Sequence, residues 1–265
     1  MREWLVISAL SVSLCACGSP DAPSSELAAP SPELSADVHH GAVAFAPDAR
    51  PFGRSMTSWN KRWWRWELSI PTAQNPSLDE TGANCDEGQG GRVWFLGSLF
   101  RSGSVTRECT IPPNRALLVN LSSLLNDFPC PDTSFHPAPG QTLEEFLTEG
   151  ATQFQDLVNA LNLTVDGQVV NNLFDYRVVT PLFHFRGDLS LKSSIDGCIT
   201  GTRQPAVSDA FLVMLKPLAA GDHVVTFGAG NSRGTVTQLT YNIHVRRGHG
   251  HHVMAAAEAG GPDDD

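Results

Sequence analysis

Hydrophobic positions recur every three to four residues in two stretches of this chain and every second residue in several others. The first helical stretch is Thr57 to Pro71, which holds four of the six tryptophans within eight residues. At about 100° per residue, Trp59, Trp63, Trp66 and Ile70 share one stripe, the pattern of a helix laid on a core. Ser58 suits the N-cap, since its hydroxyl can accept from an otherwise unpaired backbone N–H. Pro71 ends the segment, because the residue before a proline is driven out of the helical region. Trp64 falls off the stripe, with Asn60 and Glu67 at helical spacing beside it. An aromatic flanked by an amide and a carboxylate is the make-up of a small ledge for a sugar ring.

The second helical stretch opens with Thr142-Leu-Glu-Glu145, a capping-box pattern. Leu143, Phe146, Leu147, Phe154, Leu157, Val158 and Leu161 line one face, so a helix covering a sheet is predicted across them. Strands are expected elsewhere. Val93–Phe100 and Ser104–Ile111 read as a hairpin turning at 101–103. Ala116–Asn120 continues toward Leu124. Asp166-Gly167 between two β-forming runs signals a type I′ hairpin. Tyr176–Arg186 is broken by Pro181. Ala210–Leu215 is a continuous apolar run, Val224–Phe227 follows, and Thr235–Val245 alternates strictly. The fold class predicted is mainly β: an antiparallel sandwich, immunoglobulin-like or jelly-roll-like, with a short tryptophan-rich helix and one longer covering helix.

Composition changes the picture at the ends. The formal net charge of −10 is concentrated outside residues 53–247, which hold 16 basic and 18 acidic side chains. No basic stripe points to nucleic acid. Residues 1–16 have the short charged start and apolar run of a signal peptide, and Leu14-Cys15-Ala16-Cys17 resembles the lipobox of bacterial lipoproteins. That resemblance implies cleavage before Cys17, acylation there, and anchoring in a bacterial envelope membrane, the outer one in a Gram-negative cell because no aspartate follows Cys17. Without acylation the product would be periplasmic or secreted. Residues 17–50, rich in Ser, Pro and Ala, read as a disordered tether. Residues 51–247 form the β-rich domain, and residues 248–265 a His-rich, acidic tail.

Four cysteines remain in the domain, which in an exported chain read as two disulfides. Of three pairings, Cys85–Cys109 with Cys130–Cys198 is favoured, since each closes a local module. No cofactor or metal site is expected. Asp79, Glu80, Asp86 and Glu87 do not have the spacing of a calcium loop. No nucleophile elbow, zinc-protease or phosphate-loop motif occurs, and acid/base candidates reduce to Glu67, Asp86, Glu87, His184 and Asp209.

The Trp63–Pro71 stretch ending in Ser-Ile-Pro, the Thr81–Gln89 loop (Thr-Gly-x-x-Cys-x-x-Gly-Gln), the Val-Trp-Phe-Leu run at Val93–Leu96 and the Val207–Leu218 segment together resemble a family of bacterial exported proteins. The likeness covers most of residues 55–245 and implies a shared fold and export, without a transferable activity. The functional expectation is a non-catalytic lipoprotein module binding a glycan or an envelope protein, with Asn60, Trp64, Glu67, Asp86 and Glu87 as contact residues. The alternative is a secreted polysaccharide hydrolase or lyase built on Glu67 and a second carboxylate.

Overall fold

The computed structural model describes residues 42–247. The Cys17 anchor, residues 1–41 and the tail 248–265 lie outside the described residues. The domain begins earlier than composition implied. Ala44 bridges to Leu215, and the Phe45 N–H donates to the Met214 carbonyl at 2.8 Å. The expected tether boundary at 50 is therefore corrected to a point before Val43.

Among the described residues, two α-helices and ten strands make the frame. Helix α1 spans Met56–Ser69 and α2 spans Leu143–Gln155. The strands are β1 Val93–Phe95, β2 Gly103–Ile111, β3 Ala116–Asp127, β4 Val158–Val165, β5 Gln168–Val169, β6 Arg177–Val179, β7 Phe183–Arg186, β8 Arg203–Leu215, β9 Gly221–Asn231 and β10 Val236–Val245. One sheet runs β1-β3-β8-β6, with β7 also on β8; the other runs β2-β10-β9-β4-β5.

The layers follow from burial. Leu117, Val119, Phe211 and Val213 of the first sheet share a core with Phe227, Leu239, Tyr241 and Ile243 of the second. On its other face the first sheet packs Leu118, Ala210, Leu212 and Met214 against Trp63, Trp64 and Trp66 of α1. The first sheet is thus covered on both sides, which is why the Ala210–Leu215 half of β8 reads as an unbroken apolar run. The second is covered on one side only, and β10 alternates accordingly: Leu239, Tyr241, Ile243 and Val245 are buried while Gln238, Thr240, Asn242 and His244 are not.

Several expectations are corrected. The sheets are mixed rather than purely antiparallel, because β1 runs parallel to β3 and β2 parallel to β10. The predicted hairpin between Val93–Phe100 and Ser104–Ile111 does not form. Its two arms lie in different sheets, and residues 96–102 carry the chain between them. The N-cap of α1 is Ser55, whose hydroxyl accepts from the Ser58 N–H at 3.2 Å, instead of Ser58. Helix α2 ends at Gln155, so Val158 and Leu161 belong to β4. A bulge between Val158 and Ala160 lets Val158 and Leu161, three positions apart, share one strand face, and Leu163 and Val165 continue that inward row.

Other elements stand where the pattern put them. Thr142 and Glu145 form a reciprocal capping box. Asp166 and Gly167 both have positive φ (50° and 79°) between β4 and β5, as a type I′ turn requires. The bridges are Cys85–Cys109 and Cys130–Cys198, a pattern characteristic of chains that fold in an oxidising compartment. No described helix is long and apolar enough to cross a membrane.

Candidate functional site

All four tryptophans of α1 are buried, and each indole N–H has an acceptor. Trp59 donates to the Pro51 carbonyl, Trp63 to that of Leu96, Trp66 to that of Glu87, and Trp64 to Ser208 Oγ at 2.7 Å. Satisfied N–H groups let rings of this size enter a core without a polar penalty. The ledge expected at Trp64 does not exist at the surface. Trp64 is 3% exposed, and Asn60 and Glu67 are fully buried. Asn60 Nδ2 and Trp64 Nε1 converge on Ser208 of β8, so the off-stripe face of α1 is turned onto the sheet. Asp86 and Glu87 stay exposed, and their loop touches Trp66 through the Glu87 main chain. The five proposed contact residues therefore do not form one surface site.

Glu67 instead sits in a sealed polar hub. Ser77 Oγ donates to Glu67 Oε2 at 2.7 Å. Asn75 Nδ2 donates to the Glu67 carbonyl, and its Oδ1 accepts from the Ser77 N–H. Arg107 of β2, 1% exposed, closes the hub. Its Nε donates to the Asp79 carbonyl at 2.7 Å and Nη2 to that of Ser77 at 2.8 Å. Nη1 donates to the carbonyls of Gly97 and Ser98 and to the Tyr241 hydroxyl. The guanidinium also lies over the Tyr241 ring, 5.6 Å from its centroid. Arg107 thereby pins two loops, 77–79 and 97–98, against the second sheet. Burial pushes the Glu67 carboxyl up to about 7, with Ser77, Asn75 and the Arg107 charge pulling it back. From this enclosure Glu67 cannot reach a polysaccharide.

Of the other acid/base candidates, Asp209 is committed to an ion pair, while Asp86 and Glu87 stay exposed. Asp209 accepts both Arg177 Nε contacts at 3.1 Å and Arg177 Nη2 at 2.7 Å. His184 lies on β7, and its carbonyl accepts from Arg65 Nε at 2.9 Å. Asp79 folds its own loop, accepting from the Thr81 N–H and hydroxyl and from the Asn84 N–H. Glu80 pairs with Arg101.

A feature the sequence reading missed is the approach of Asp127, Asp196 and Cys198, whose donor atoms lie within 4.8 Å of one another. Cys198 is held in its disulfide, and Gln204 Nε2 donates to Asp127. Burial first, then the neighbouring Asp196, raises the Asp127 carboxyl to about 8. The two aspartates are 69 positions apart, and the pairing of β3 with β8 and the Cys130–Cys198 bridge bring them together.

Both raised carboxyls bind protons that the unfolded chain would have released, so each favours the fold most below its ordinary value and loses that contribution on the way up. For Glu67 the loss runs from pH 4.5 to about 7, and for Asp127 from pH 3.8 to about 8. The midpoint of urea unfolding should therefore fall between pH 5 and pH 8. Glu67→Gln and Asp127→Asn should each raise the midpoint more at pH 8 than at pH 5. A wild-type midpoint equal at both pH values would contradict this assignment.

One accessible concavity lies elsewhere. A cleft of about 400 Å³ opens between the sheets beside the middle of β3, within the size range of ligand sites. One wall is the 98–102 loop with Leu99 and Phe100. The floor is Leu121 to Leu124, and the far wall is Phe154 and Val158 with the turn between β9 and β10. Arg101 is the one charged residue lining it, and it is paired with Glu80. No carboxylate, imidazole or thiol lines the cleft. Such a lining can hold and orient a ligand but offers no general acid or base.

No family model matches the chain, and no curated protein matches it. A cysteine protease inhibitor from Entamoeba histolytica is similar to this chain at 11% sequence identity, over 55% of this chain and 88% of that one, with a TM-score of 0.20. A superposition that loose carries no argument about fold or function.

Proposed function

We propose that this chain is a non-catalytic binding module of a bacterial envelope, lipid-anchored at Cys17, with the cleft beside β3 as its binding site. The observation that carries this reading is the cleft itself, a preformed concavity with apolar walls and hydroxyl groups but no titratable group able to do acid/base chemistry. The disulfides fit an exported domain, and the lipobox at Leu14–Cys17 supplies the anchor. Several acyl chains hold a protein on a bilayer where one is marginal. The family resemblance of the Trp63–Pro71 and Val207–Leu218 segments belongs to this proposal, as does a sandwich of the immunoglobulin-like or jelly-roll kind, which rests on the core shared by the two sheets.

Ser102 and Thr235 sit exposed on opposite rims of the cleft, so tryptophan at either position should obstruct it while sparing the core. Incubating the mature chain with a peptide array and a glycan array should give binding in one of the two, lost in Ser102→Trp and Thr235→Trp. Silence on both arrays, or binding that neither substitution alters, would remove the cleft as the site. For the anchor, cells expressing the chain should incorporate tritiated palmitate into it, and Cys17→Ala should abolish the label. Labelling that persists in Cys17→Ala would place the modification elsewhere.

A further inference from the structure

We infer that the face around Phe52, beside the point where the chain enters the domain, docks on the anionic headgroups of a phospholipid surface. No residue of this face lines the cleft, so the inference names a second surface and goes beyond the proposed function. The chain enters along the end of β8. There the Lys216 N–H donates to the Val43 carbonyl at 2.8 Å, and the Phe45 ring meets the Phe52 ring edge-on at 6.4 Å. Phe52 sits in a short 3₁₀ turn, Pro51–Gly53, just ahead of α1. Its φ of 56° and ψ of 30° are a left-handed conformation that bulky side chains rarely adopt. The residue is nonetheless 39% exposed. Core packing does not require a strained backbone that leaves an aromatic side chain in water, and strain of this kind clusters at contact sites.

The groups around Phe52 are cationic. Residues 42–66 hold five basic side chains and one acidic, Asp48, whereas residues 53–247 as a whole hold 16 basic and 18 acidic. Arg92, next to β1, lies over the Phe52 ring at 5.9 Å from its centroid. Arg62 lies over the Trp59 ring at 5.9 Å, and that ring is edge-on to Phe52 at 6.4 Å. Arg50 opens the turn, its carbonyl accepting from the Gly53 N–H at 3.0 Å. Arg50, Arg92 and Lys216 are exposed, and among the described residues no carboxylate pairs with any of them. The exposed acidic pair Asp86 and Glu87 stands at the other end of the same aromatic row. Trp59 meets Phe95, Phe95 meets Trp66, and Trp66 donates to the Glu87 carbonyl. The row thus has a cationic end beside the chain's entry and an acidic end away from it. Unpaired cations around an exposed ring match lipid phosphates lying over the acyl boundary: the cations meet phosphate and the ring enters the interface. The chain as a whole carries −10, so attraction to an anionic surface has to be local, acting within a Debye length of this face. About 25 residues separate Cys17 from Ala42, which keeps the domain within roughly 28 Å of an anchor without orienting it. Docking through this face supplies the orientation.

The test is flotation of the mature chain carrying Cys17→Ala, and so no acyl group there, with vesicles of phosphatidylglycerol and, separately, of phosphatidylcholine. The chain should float with phosphatidylglycerol at low ionic strength, come off as salt is raised, and stay off phosphatidylcholine. Arg50→Gln and Arg92→Gln should each weaken partitioning about five-fold, the effect of one basic side chain near an anionic surface. Phe52→Asn places a residue that tolerates the left-handed backbone and should also weaken partitioning about five-fold through lost apolar burial. Unchanged near-ultraviolet circular dichroism would show that the variants fold. Lys192→Gln, exposed in the turn after β7, should bind as wild type does. No flotation with phosphatidylglycerol, or equal flotation with both lipids, would overturn the inference. So would flotation that the Arg50 and Arg92 variants leave unchanged, or that Lys192→Gln weakens as much as they do. Retention on immobilised polyglutamate without vesicle binding would assign the face to an acidic protein and overturn lipid docking. With no acyl group at residue 17, the result stands apart from whether Cys17 is modified and from what the cleft binds.

Discussion

Replacing Arg107 with alanine should cost this domain on the order of 4 kcal/mol or more, the largest loss expected from a single substitution here. The guanidinium is almost completely buried and donates to four loop carbonyls and the Tyr241 hydroxyl. Its removal would leave those carbonyls desolvated, at about 1–3 kcal/mol for each that water cannot reach. It would also take away the positive charge that offsets the burial of Glu67. Lysine should not rescue the fold, because three donors on a flexible stem cannot reproduce a planar five-donor fork. Urea unfolding of wild type, Arg107→Ala and Arg107→Lys would check this. A loss below about 1 kcal/mol in Arg107→Ala would mean that the two loops hold themselves.

Trp63→Ala should cost about 3–5 kcal/mol. Trp63 is fully buried between α1 and the first sheet. It packs edge-on against Trp64 at 5.0 Å and Trp66 at 6.1 Å, and its N–H donates to the Leu96 carbonyl at 3.0 Å. A cavity of that size cannot collapse while three neighbouring tryptophans stay tied to separate acceptors. For a domain of about 200 residues, the change corresponds to a melting-temperature drop of roughly 10 °C. Trp64→Phe keeps most of the ring and gives up the bond to Ser208, so about 1 kcal/mol is expected. If Trp64→Phe proved the more damaging, the stripe centred on Trp63 would not be the anchor.

The same helix shows how far pattern reading reaches. Trp59, Trp63, Trp66 and Ile70 were legible as one stripe because a helix touching a single surface imprints its period on the sequence. Trp64 was misread as exposed because α1 is clasped on a second side, by Ser208 of β8, more than 140 residues away. Strands β1 and β2 misled in a related way. Both are β-forming and close in sequence, yet β1 is apolar throughout and β2 alternates, the marks of a sheet covered on both faces and one covered on a single face. The junction of α2 and β4 misled because a bulge between Val158 and Ala160 puts residues three apart on one strand face and so imitates helical spacing.

By itself the sequence determined a mainly β domain with two helices, the hairpin at Asp166-Gly167 and the alternating face of β10. Each depends on local propensity or local turn geometry, which neighbouring residues specify. Tertiary structure alone decided that the sheets are mixed, that Glu67 and Arg107 meet in a sealed hub, that Asp127 approaches Asp196, and that a cleft opens beside β3. Those features depend on contacts between residues tens to more than a hundred positions apart, and no local period records which partner a buried charge will find.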